Sequence, residues 1–168
     1  MKIYLATDHA GFELKEGVKK WFKELGYQVQ DEGAFEYDEN DDYPDYIKIA
    51  AKQVASDPDD SRAIIFGGSG QGEAMVANRF PHVRAVVYAG DNRLLTLSRT
   101  HNNANVLAIG GRLFNLEETI EAIKRWMVID FTGEERHVRR IEKIDQQGEI
   151  IHEFWYGWIY PRDFRDGF

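Results

Sequence analysis

The chain has 168 residues, of which 43% are hydrophobic and 13% aromatic, so it is long and apolar enough to fold as one globular domain with a core. Its formal net charge of -8 argues against nucleic acid or an anionic membrane as the main partner. The lack of cysteine excludes disulfides, thiolate catalysis and cysteine-ligated metals. Because no apolar run approaches membrane-spanning length and the N-terminus turns polar early, we expect a soluble, cytoplasmic protein.

The N-terminal part of the sequence predicts a strand, a helix and a second strand. The strands cover Lys2–Thr7 and Tyr27–Asp31, and Asp8 and His9 follow the first of them. Between the strands, apolar residues recur at the spacing of one helix face, and Gly26 is a natural C-terminal stop. These apolar residues are Leu14, Val18, Trp21 and Leu25.

An acidic loop, Ala34–Asp42, leads into a second predicted helix, whose first turn holds Pro44. The acids from Glu36 onward suggest a cation site, but a run of this kind is more often a solvated loop. We therefore expect this loop to be solvated.

The stretch Ala63–Arg79 predicts a buried strand, a glycine turn and the start of a helix. Its four turn glycines allow positive φ and bring backbone amides close to a ligand, so the turn predicts a nest of N–H donors for a phosphate or an oxyanion. The spacing fits neither the Walker motif nor GxGxxG. Glu73 follows the last glycine directly, which places a candidate base beside these donors.

The second half of the chain continues the alternation of strands and helices. Pro81 ends the helix after the glycine turn. Strands are predicted over Val83–Tyr88 and Val106–Ile109, with a helix over Asp91–Thr100 between them. Two capping signals mark two later helices, the second running through about Asp145. The signals are Asn115 with Glu118, and Thr132 with Glu135.

Strands that alternate with helices predict a parallel sheet covered on both faces. Ligands of such sheets bind at the carboxyl ends of the strands. Asp8 and His9, the turn Gly67–Glu73 and the segment Gly110–Arg112 all follow predicted strands. We therefore expect one pocket to collect these residues.

Several motifs, in this order and spacing, resemble the ribose-5-phosphate isomerase B family, which includes galactose-6-phosphate and allose-6-phosphate isomerases. The likeness spans roughly residues 1–145. The motifs are TDHAG at Thr7–Gly11, YP at Tyr43–Pro44, GGSGQGE at Gly67–Glu73, HN at His101–Asn102, NVLAIGGR at Asn105–Arg112 and ERHVRR at Glu135–Arg140.

The resemblance implies a Rossmann-like three-layer α/β/α sandwich with a five-stranded parallel sheet, and a homodimer or tetramer whose active sites are shared between subunits. It also implies reversible aldose–ketose isomerisation of a phosphorylated sugar, with no metal and no other cofactor. Some members place a cysteine base at the position of Gly67. This chain has no thiol there, so it resembles the subgroup whose base is the glutamate at the position of Glu73.

Isomerisation through a cis-enediolate needs a base, an oxyanion stabiliser and an acid–base group that opens the sugar ring. We predict Glu73 as the base; the alternative is a first-turn glutamate that favours the helix dipole. His101 is the predicted ring-opening residue, and the alternative is an ordinary helix C-terminal histidine. The amides of Gly68, Gly70, Gln71 and Gly72 are predicted to hold the enediolate, with a simple tight turn as the alternative.

Ser69 and Asn102 are predicted to hydrogen-bond the oxygen atoms of the sugar. The alternative for Ser69 is a hydroxyl that stabilises the turn or caps the helix. Asp8 is predicted to orient His9 or bind a sugar hydroxyl, or else to cap the first helix. Tyr43 either lines the sugar pocket or packs beside proline.

The phosphate clamp is predicted to combine His9 with three arginines, because guanidinium groups bind phosphate oxygens bidentately. The alternative for the pair Arg136 and Arg140 is a solvated basic face, or ion pairs with Glu135 and Glu142. The third arginine is Arg112. His82, His137 and His152 form no ligand-spaced cluster with carboxylates, so no structural metal is expected.

The leading functional prediction is interconversion of ribose 5-phosphate and ribulose 5-phosphate, a reaction of the pentose phosphate pathway. The alternatives are an allose- or galactose-type hexose 6-phosphate isomerase and a non-catalytic sugar-phosphate-binding module. Residues 146–168 lie beyond the likeness and are rich in aromatic residues, so we expect them to dock on the domain at 1–145 or on a partner subunit. There they pack in the oligomer or cover the sugar pocket.

Overall fold

The computed structural model describes residues 1–159, with side chains as far as residue 147. Strands and helices alternate through most of the chain, with a short 3-10 turn at His9–Gly11. The strands are β1 (Lys2–Ala6), β2 (Val29–Asp31), β3 (Ser61–Gly67), β4 (Ala85–Val87) and β5 (Val106–Gly110). The helices are α1 (Phe12–Glu24), α2 (Tyr43–Ser56), α3 (Gln71–Ala77), α4 (Asn92–Thr100), α5 (Leu116–Met127) and α6 (Glu135–Ile159).

The five strands form one parallel sheet in the order β2-β1-β3-β5-β4. The central strand β3 pairs Ile65 with Ala6 of β1 and Gly67 with Gly110 of β5. This register aligns the carboxyl ends of the three middle strands at one edge of the sheet. The predicted Rossmann-like architecture is confirmed.

The sheet is covered on both faces, because each face carries its own apolar core. On one face α1, α4 and α5 pack on the sheet, with Phe66 and Trp126 among their fully buried side chains. On the other face α2 and α3 pack around Ile47, Ile65 and Val106. Burying each of these large side chains stabilises the fold by about 1.5 to 3 kcal/mol.

The helices after β1 and β3 lie on opposite faces of the sheet, although these two strands are neighbours. Such a change of direction opens a crevice at the carboxyl ends of the two strands, and ligands of open parallel sheets bind there. Residues that follow β1 and β3 therefore lie beside one crevice.

The start predicted for the last helix is wrong. The Thr132 hydroxyl does not cap it but donates to the carbonyl oxygen of Thr100 at the end of α4 (2.8 Å). The helix begins at Glu135, and its first amide bonds go to the carbonyl oxygen of Glu134. By contrast, the predicted capping box of Asn115 with Glu118 is present.

The predicted end of the last helix near Asp145 is also wrong, because α6 continues to Ile159. Gly148 is the only glycine or proline between Asp145 and Tyr156, so the sequence there holds no strong helix breaker. The boundary proposed at 145/146 thus lies inside a helix. The predicted docking of the aromatic side chains of residues 146–168 falls outside the described side chains. Within residues 1–159, no helix combines the length and apolar content that crossing a bilayer requires.

Candidate active site

Three glycines bring the loops after β1, β3 and β5 into direct contact. A Cβ atom on Gly11 would lie 2.9 Å from the amide nitrogen of Gly67, and one on Gly111 would lie 2.6 Å from the carbonyl oxygen of Ala10. The amide of Gly111 donates to the carbonyl oxygen of Gly67 (2.7 Å). A side chain on Gly11 or Gly111 would push the loops apart, so these two glycines allow the three loops to meet.

The glycine turn is shaped by Gly70, the N-cap of α3, whose φ of +81° is strained for any other residue. A Cβ there would also lie 3.2 Å from the backbone of Ala108 in β5. The first-turn amides of α3 therefore start directly beside the sheet edge. Ser69 is exposed, and its Oγ accepts a long bond from the amide of Gln71 (3.4 Å), as a turn hydroxyl does.

Glu73 lies in the first turn of α3 with its side chain turned inward, and only 4% of the residue is exposed. Its carboxylate occupies the space above Gly67, so that a Cβ atom on Gly67 would overlap Oε1. A cysteine at position 67 and a glutamate in this conformation therefore exclude one another. Glu73 is also a first-turn acid of α3 whose carboxylate accepts backbone hydrogen bonds, as the helix-dipole alternative expects, so its role as the base stays a prediction.

Burial raises the pKa of the Glu73 carboxyl above its ordinary value, and the nearby charge of Asp8 raises it further. Hydrogen bonds from the backbone amides of Glu73 and Gly70 act in the opposite direction. A carboxyl group with a raised pKa is a stronger base once it is ionised, as proton abstraction requires.

Tyr43, at the start of α2, closes one side of the glycine turn. A Cβ on Gly72 would lie 2.7 Å from both the ring Cζ and the hydroxyl oxygen of Tyr43. Tyr43 also packs against the apolar core on that face of the sheet, so its place in a sugar pocket stays a prediction.

Asp8 caps the 3-10 turn, because its Oδ1 accepts a hydrogen bond from the amide of Ala10 (3.0 Å). The residue is 6% exposed, and burial raises the pKa of its carboxyl, against the effect of the Ala10 amide. Asp8 therefore caps the turn that precedes α1, whereas the N-cap of α1 itself is Gly11. The His9 ring forms its hydrogen bond with Asp41 and not with Asp8.

His9 donates twice to the same carboxylate oxygen of Asp41, from its backbone amide (2.9 Å) and from ring Nδ1 (2.7 Å). The Asp41 side chain is only 6% exposed, so the expectation of a wholly solvated acidic loop is wrong at this residue. The hydrogen bond to Asp41 raises the pKa of His9. Topology could have identified Asp41, because any strand-to-helix loop of a parallel sheet crosses its carboxyl edge.

Ligand atoms of Asp8, His9 and Asp41 lie within 4.8 Å of one another, close enough to raise the question of a metal. The His9 Nδ1 atom donates to Asp41, so its lone pair is not available to an ion. We therefore describe His9 and Asp41 as a hydrogen-bonded pair, with Asp8 nearby, rather than as a metal site.

Arg112 follows β5 and reaches the same edge of the sheet. Its amide donates to the carbonyl oxygen of Gly68 (3.3 Å), and its guanidinium lies 3.5 Å from where a Cβ on Gly68 would be. Its charge acts on the pKa of His9, in the lowering direction. His9 and Arg112 therefore lie close enough for their charges to interact, on the edge of the sheet that carries the glycine turn.

The remaining predicted site residues form a second group around the N-terminus of α6. His101 ends α4, where its amide donates to the carbonyl oxygen of Leu97, and its ring stacks on that of His137 at a centroid distance of 4.2 Å. His137 is 4% exposed, and burial, followed by the charge of His101, lowers its pKa. Arg136 pairs with Glu134 (2.9 Å) rather than with Glu135 or Glu142. Asn102 and Arg140 are exposed members of this group.

Within one chain the two groups lie at opposite ends of β5. His101 and Asn102 precede the strand, whereas Arg112 follows it. Five residues of strand span about 16 Å, so the structure of one chain gathers Glu73, Asp8, His9 and Arg112 but does not bring His101 to them.

A Rossmann-like sandwich with a buried carboxyl and basic side chains at the carboxyl edge of its sheet is typical of the α/β proteins that bind small anionic ligands at this edge. The comparisons with known proteins make this class specific. Residues 3–144 match the model of the family described as Ribose/Galactose Isomerase. The chain belongs to this family.

Named relatives agree with this assignment. The chain is 40% identical to ribose-5-phosphate isomerase B of Mycolicibacterium paratuberculosis over 142 residues, covering 84% of this chain and 88% of the relative. It is 38% identical to the enzyme of that name from Mycobacterium tuberculosis, covering 91% and 93%. The crystal structure of ribose-5-phosphate isomerase B from Mycoplasma genitalium with bound ribulose-5-phosphate superimposes with a TM-score of 0.83, at 34% identity, covering 88% of this chain and 96% of that one.

Proposed function

We propose that this chain interconverts ribose 5-phosphate and ribulose 5-phosphate. The observation that carries the proposal is the Glu73 carboxyl, buried above Gly67 and flanked by the amides of the glycine turn. The relatives that carry the name ribose-5-phosphate isomerase B, one of them with ribulose-5-phosphate bound, support the same substrate.

In the proposed mechanism Glu73 removes the proton from C2 of the open-chain aldose and returns it to C1, while the hydroxyl proton moves from O2 to O1. The intermediate is a cis-enediolate, whose negative oxygen is held by the amides of residues 68–72. The raised pKa of Glu73 suits a base that must also give the proton back. His9 and Arg112 bind the phosphate, since both present N–H donors and positive charge.

We propose that a second copy of the chain completes the site. His101 of that copy opens the furanose ring, Asn102 binds sugar hydroxyls, and Arg136 and Arg140 complete the phosphate clamp. The support is geometric, because in one chain these residues lie at the opposite end of β5 from Glu73. A dimer or tetramer that brings the two edges together resolves this separation.

The proposal is tested by assaying ketose formation from ribose 5-phosphate, allose 6-phosphate and galactose 6-phosphate side by side. The hexose substrates belong in the assay because the matching family is described by both sugars. We expect turnover of ribose 5-phosphate with the highest kcat/KM. If the protein prefers a hexose phosphate, the proposed substrate is wrong but the proposed isomerisation stands. If it binds the sugars and converts none of them, it is a non-catalytic sugar-phosphate-binding module.

The base is tested by Glu73→Gln, which keeps the size of the side chain and removes its basicity. We expect kcat to fall by about 10²- to 10⁴-fold with little change in KM. Burial raises the pKa of Glu73, so at a pH above this pKa the ionised carboxylate lowers the stability of the folded chain. Glutamine carries no charge and removes this cost. The Tm of the variant at neutral pH should therefore be no lower than that of wild type. The matched control is Glu117→Gln, an exposed first-turn glutamate of α5. An active Glu73→Gln would reject Glu73 as the base.

A further inference from the structure

The His9 ring is held in one tautomer by the loop between β2 and α2. An ionised carboxylate only accepts hydrogen bonds, so the His9 nitrogen that faces Asp41 Oδ1 at 2.7 Å carries a hydrogen. Nδ1 is thereby committed to Asp41. Nε2 is then the ring nitrogen available to a ligand.

The loop that supplies Asp41 is fastened to the body of the domain near its start. The amide of Ala34 donates to the carbonyl oxygen of Thr7 at the end of β1 (2.8 Å). Lys15, whose side chain is fully buried, donates to the carbonyl oxygen of Ala34 (2.6 Å) and to Oδ1 of Asp31 (2.7 Å). These bonds hold the loop beside the turn that carries His9.

Burial makes the Asp41 carboxylate depend on His9. Its side chain is 6% exposed, and among the described residues its Oδ2 atom is buried without a hydrogen bond of ordinary length. The Tyr46 phenol lies beside the same carboxylate, and burial, followed by the charge of Asp41, raises the pKa of that phenol. A buried carboxylate is costly unless a cation compensates it. The charged groups that act on His9 are Asp41 and Asp8, which favour the imidazolium, and Arg112, which opposes it; the Tyr37 ring packs edge-on against the imidazole.

We propose that Asp41 is a positioning residue, which keeps His9 protonated with Nε2–H as a donor to the phosphate group of the substrate. The proposal rests on the proposed function, in which His9 binds that phosphate. It assigns to Asp41 an effect on substrate affinity through His9 and no contact with the reacting carbon atoms.

The pH dependence follows from the sign of the shift. The pKa of His9 is raised, chiefly by the hydrogen bond to Asp41, so the imidazolium is present below the raised pKa and is lost as pH rises through it. We expect KM for ribose 5-phosphate to increase as pH rises through the pKa of His9. Removing the charge at position 41 should move this rise of KM to lower pH.

The test is Asp41→Asn, which keeps an oxygen acceptor and removes the charge, with the exposed neighbour Asp42→Asn as the matched control. We expect Asp41→Asn to raise KM for ribose 5-phosphate about tenfold near neutral pH, with kcat within about twofold of wild type. The control should change neither. If Asp41→Asn and wild type have the same KM and the same dependence of KM on pH, the proposal is overturned.

A second measurement is independent of turnover. The pKa of His9 is followed by NMR in the intact protein, and inorganic phosphate is titrated against the same resonance. We expect a lower pKa and weaker phosphate binding in Asp41→Asn. If these changes occur in a protein without isomerase activity, the proposed function fails and the role of Asp41 toward a phosphate group stands. An unchanged pKa, or a wild-type His9 that titrates at or below the ordinary histidine value, overturns the role itself.

A double-variant cycle separates positioning from a purely structural role. His9→Asn keeps a donor in the place of Nδ1 and lacks Nε2. If Asp41 acts through His9, adding Asp41→Asn to His9→Asn should increase KM by less than about twofold. A further tenfold increase would show that Asp41 acts by another route.

Discussion

Gly67 determines where the Glu73 carboxyl lies, because it has no side chain. It ends the central strand, and the Glu73 carboxylate fills the space that a Cβ would take. The buried acid obtains its raised pKa in this space, close to Asp8. A glycine at this position is therefore a condition for a glutamate base in the position seen here.

We expect Gly67→Ala to abolish most activity and to leave the fold largely intact. The new methyl group meets the flexible end of Glu73, which can turn away at small cost in stability. Displacing the base should lower kcat/KM by about 10²-fold or more. Steady-state kinetics and thermal unfolding measured together check this, and retention of activity would show that the carboxyl acts from another position. Gly26→Ala, where no atom lies within 4 Å but φ is +78°, is a control for backbone strain without loss of activity.

At the scale of elements, local signals act where the helix and its cap are neighbours in sequence. In the capping box of α5, Asn115 Oδ1 accepts from the amide of Glu118 (2.9 Å), and Glu118 Oε2 accepts from the amide of Asn115 (2.9 Å). The helix then buries Ile123 and Trp126 completely. Cap and apolar face agree, so α5 forms as predicted.

We expect Asn115→Ala to lower the free energy of unfolding by about 1 kcal/mol, because the backbone amide of Glu118 loses its side-chain acceptor. Urea unfolding measures this difference. Glu117→Ala, in the same turn but exposed, should change the free energy by less than about 0.5 kcal/mol. A change of equal size in both variants would mean that the capping box does not contribute, and kcat/KM should be unchanged in each.

At the scale of the whole molecule, one chain carries two incomplete halves of the proposed site. Glu73, His9 and Arg112 lie at the carboxyl edge of the sheet, whereas His101 stacks on His137 near the amino end of β5. In the proposed assembly, two copies place these opposite edges together and so join the two halves into one site. A dimer with two-fold symmetry would contain two such sites, because each contact across its interface occurs twice.

We therefore expect Glu73→Gln and His101→Asn subunits to complement each other. Each variant alone should be nearly inactive, but unfolding and refolding them together should restore about a quarter of wild-type activity, since about half of the dimers are mixed and one of their two sites is intact. Mixing Glu73→Gln with a Glu73→Ala variant is the control and should restore nothing. Absence of complementation in dimers shown to be mixed would mean that each chain builds its site alone.

The sequence alone was sufficient for the alternation of elements, the parallel sheet and the family. The strand Ala63–Phe66 is apolar throughout and fully buried, and the capping box of Asn115 lies within a single turn, so both can be recognised from neighbouring residues. The glycines after Phe66 likewise predicted a turn at the sheet edge, and Gly70 has the positive φ that such a turn requires.

Only the tertiary structure decided which side chains meet. The bonds of His9 with Asp41 and of Thr132 with Thr100 each join residues 32 positions apart, so neither partner is visible in the local pattern. Glu73 could face solvent or Gly67 with the same helix periodicity, and packing against Gly67 settled its direction. Periodicity and capping act over a few residues, whereas burial, and with it the pKa of a carboxyl group, depends on everything that the folded chain brings around it.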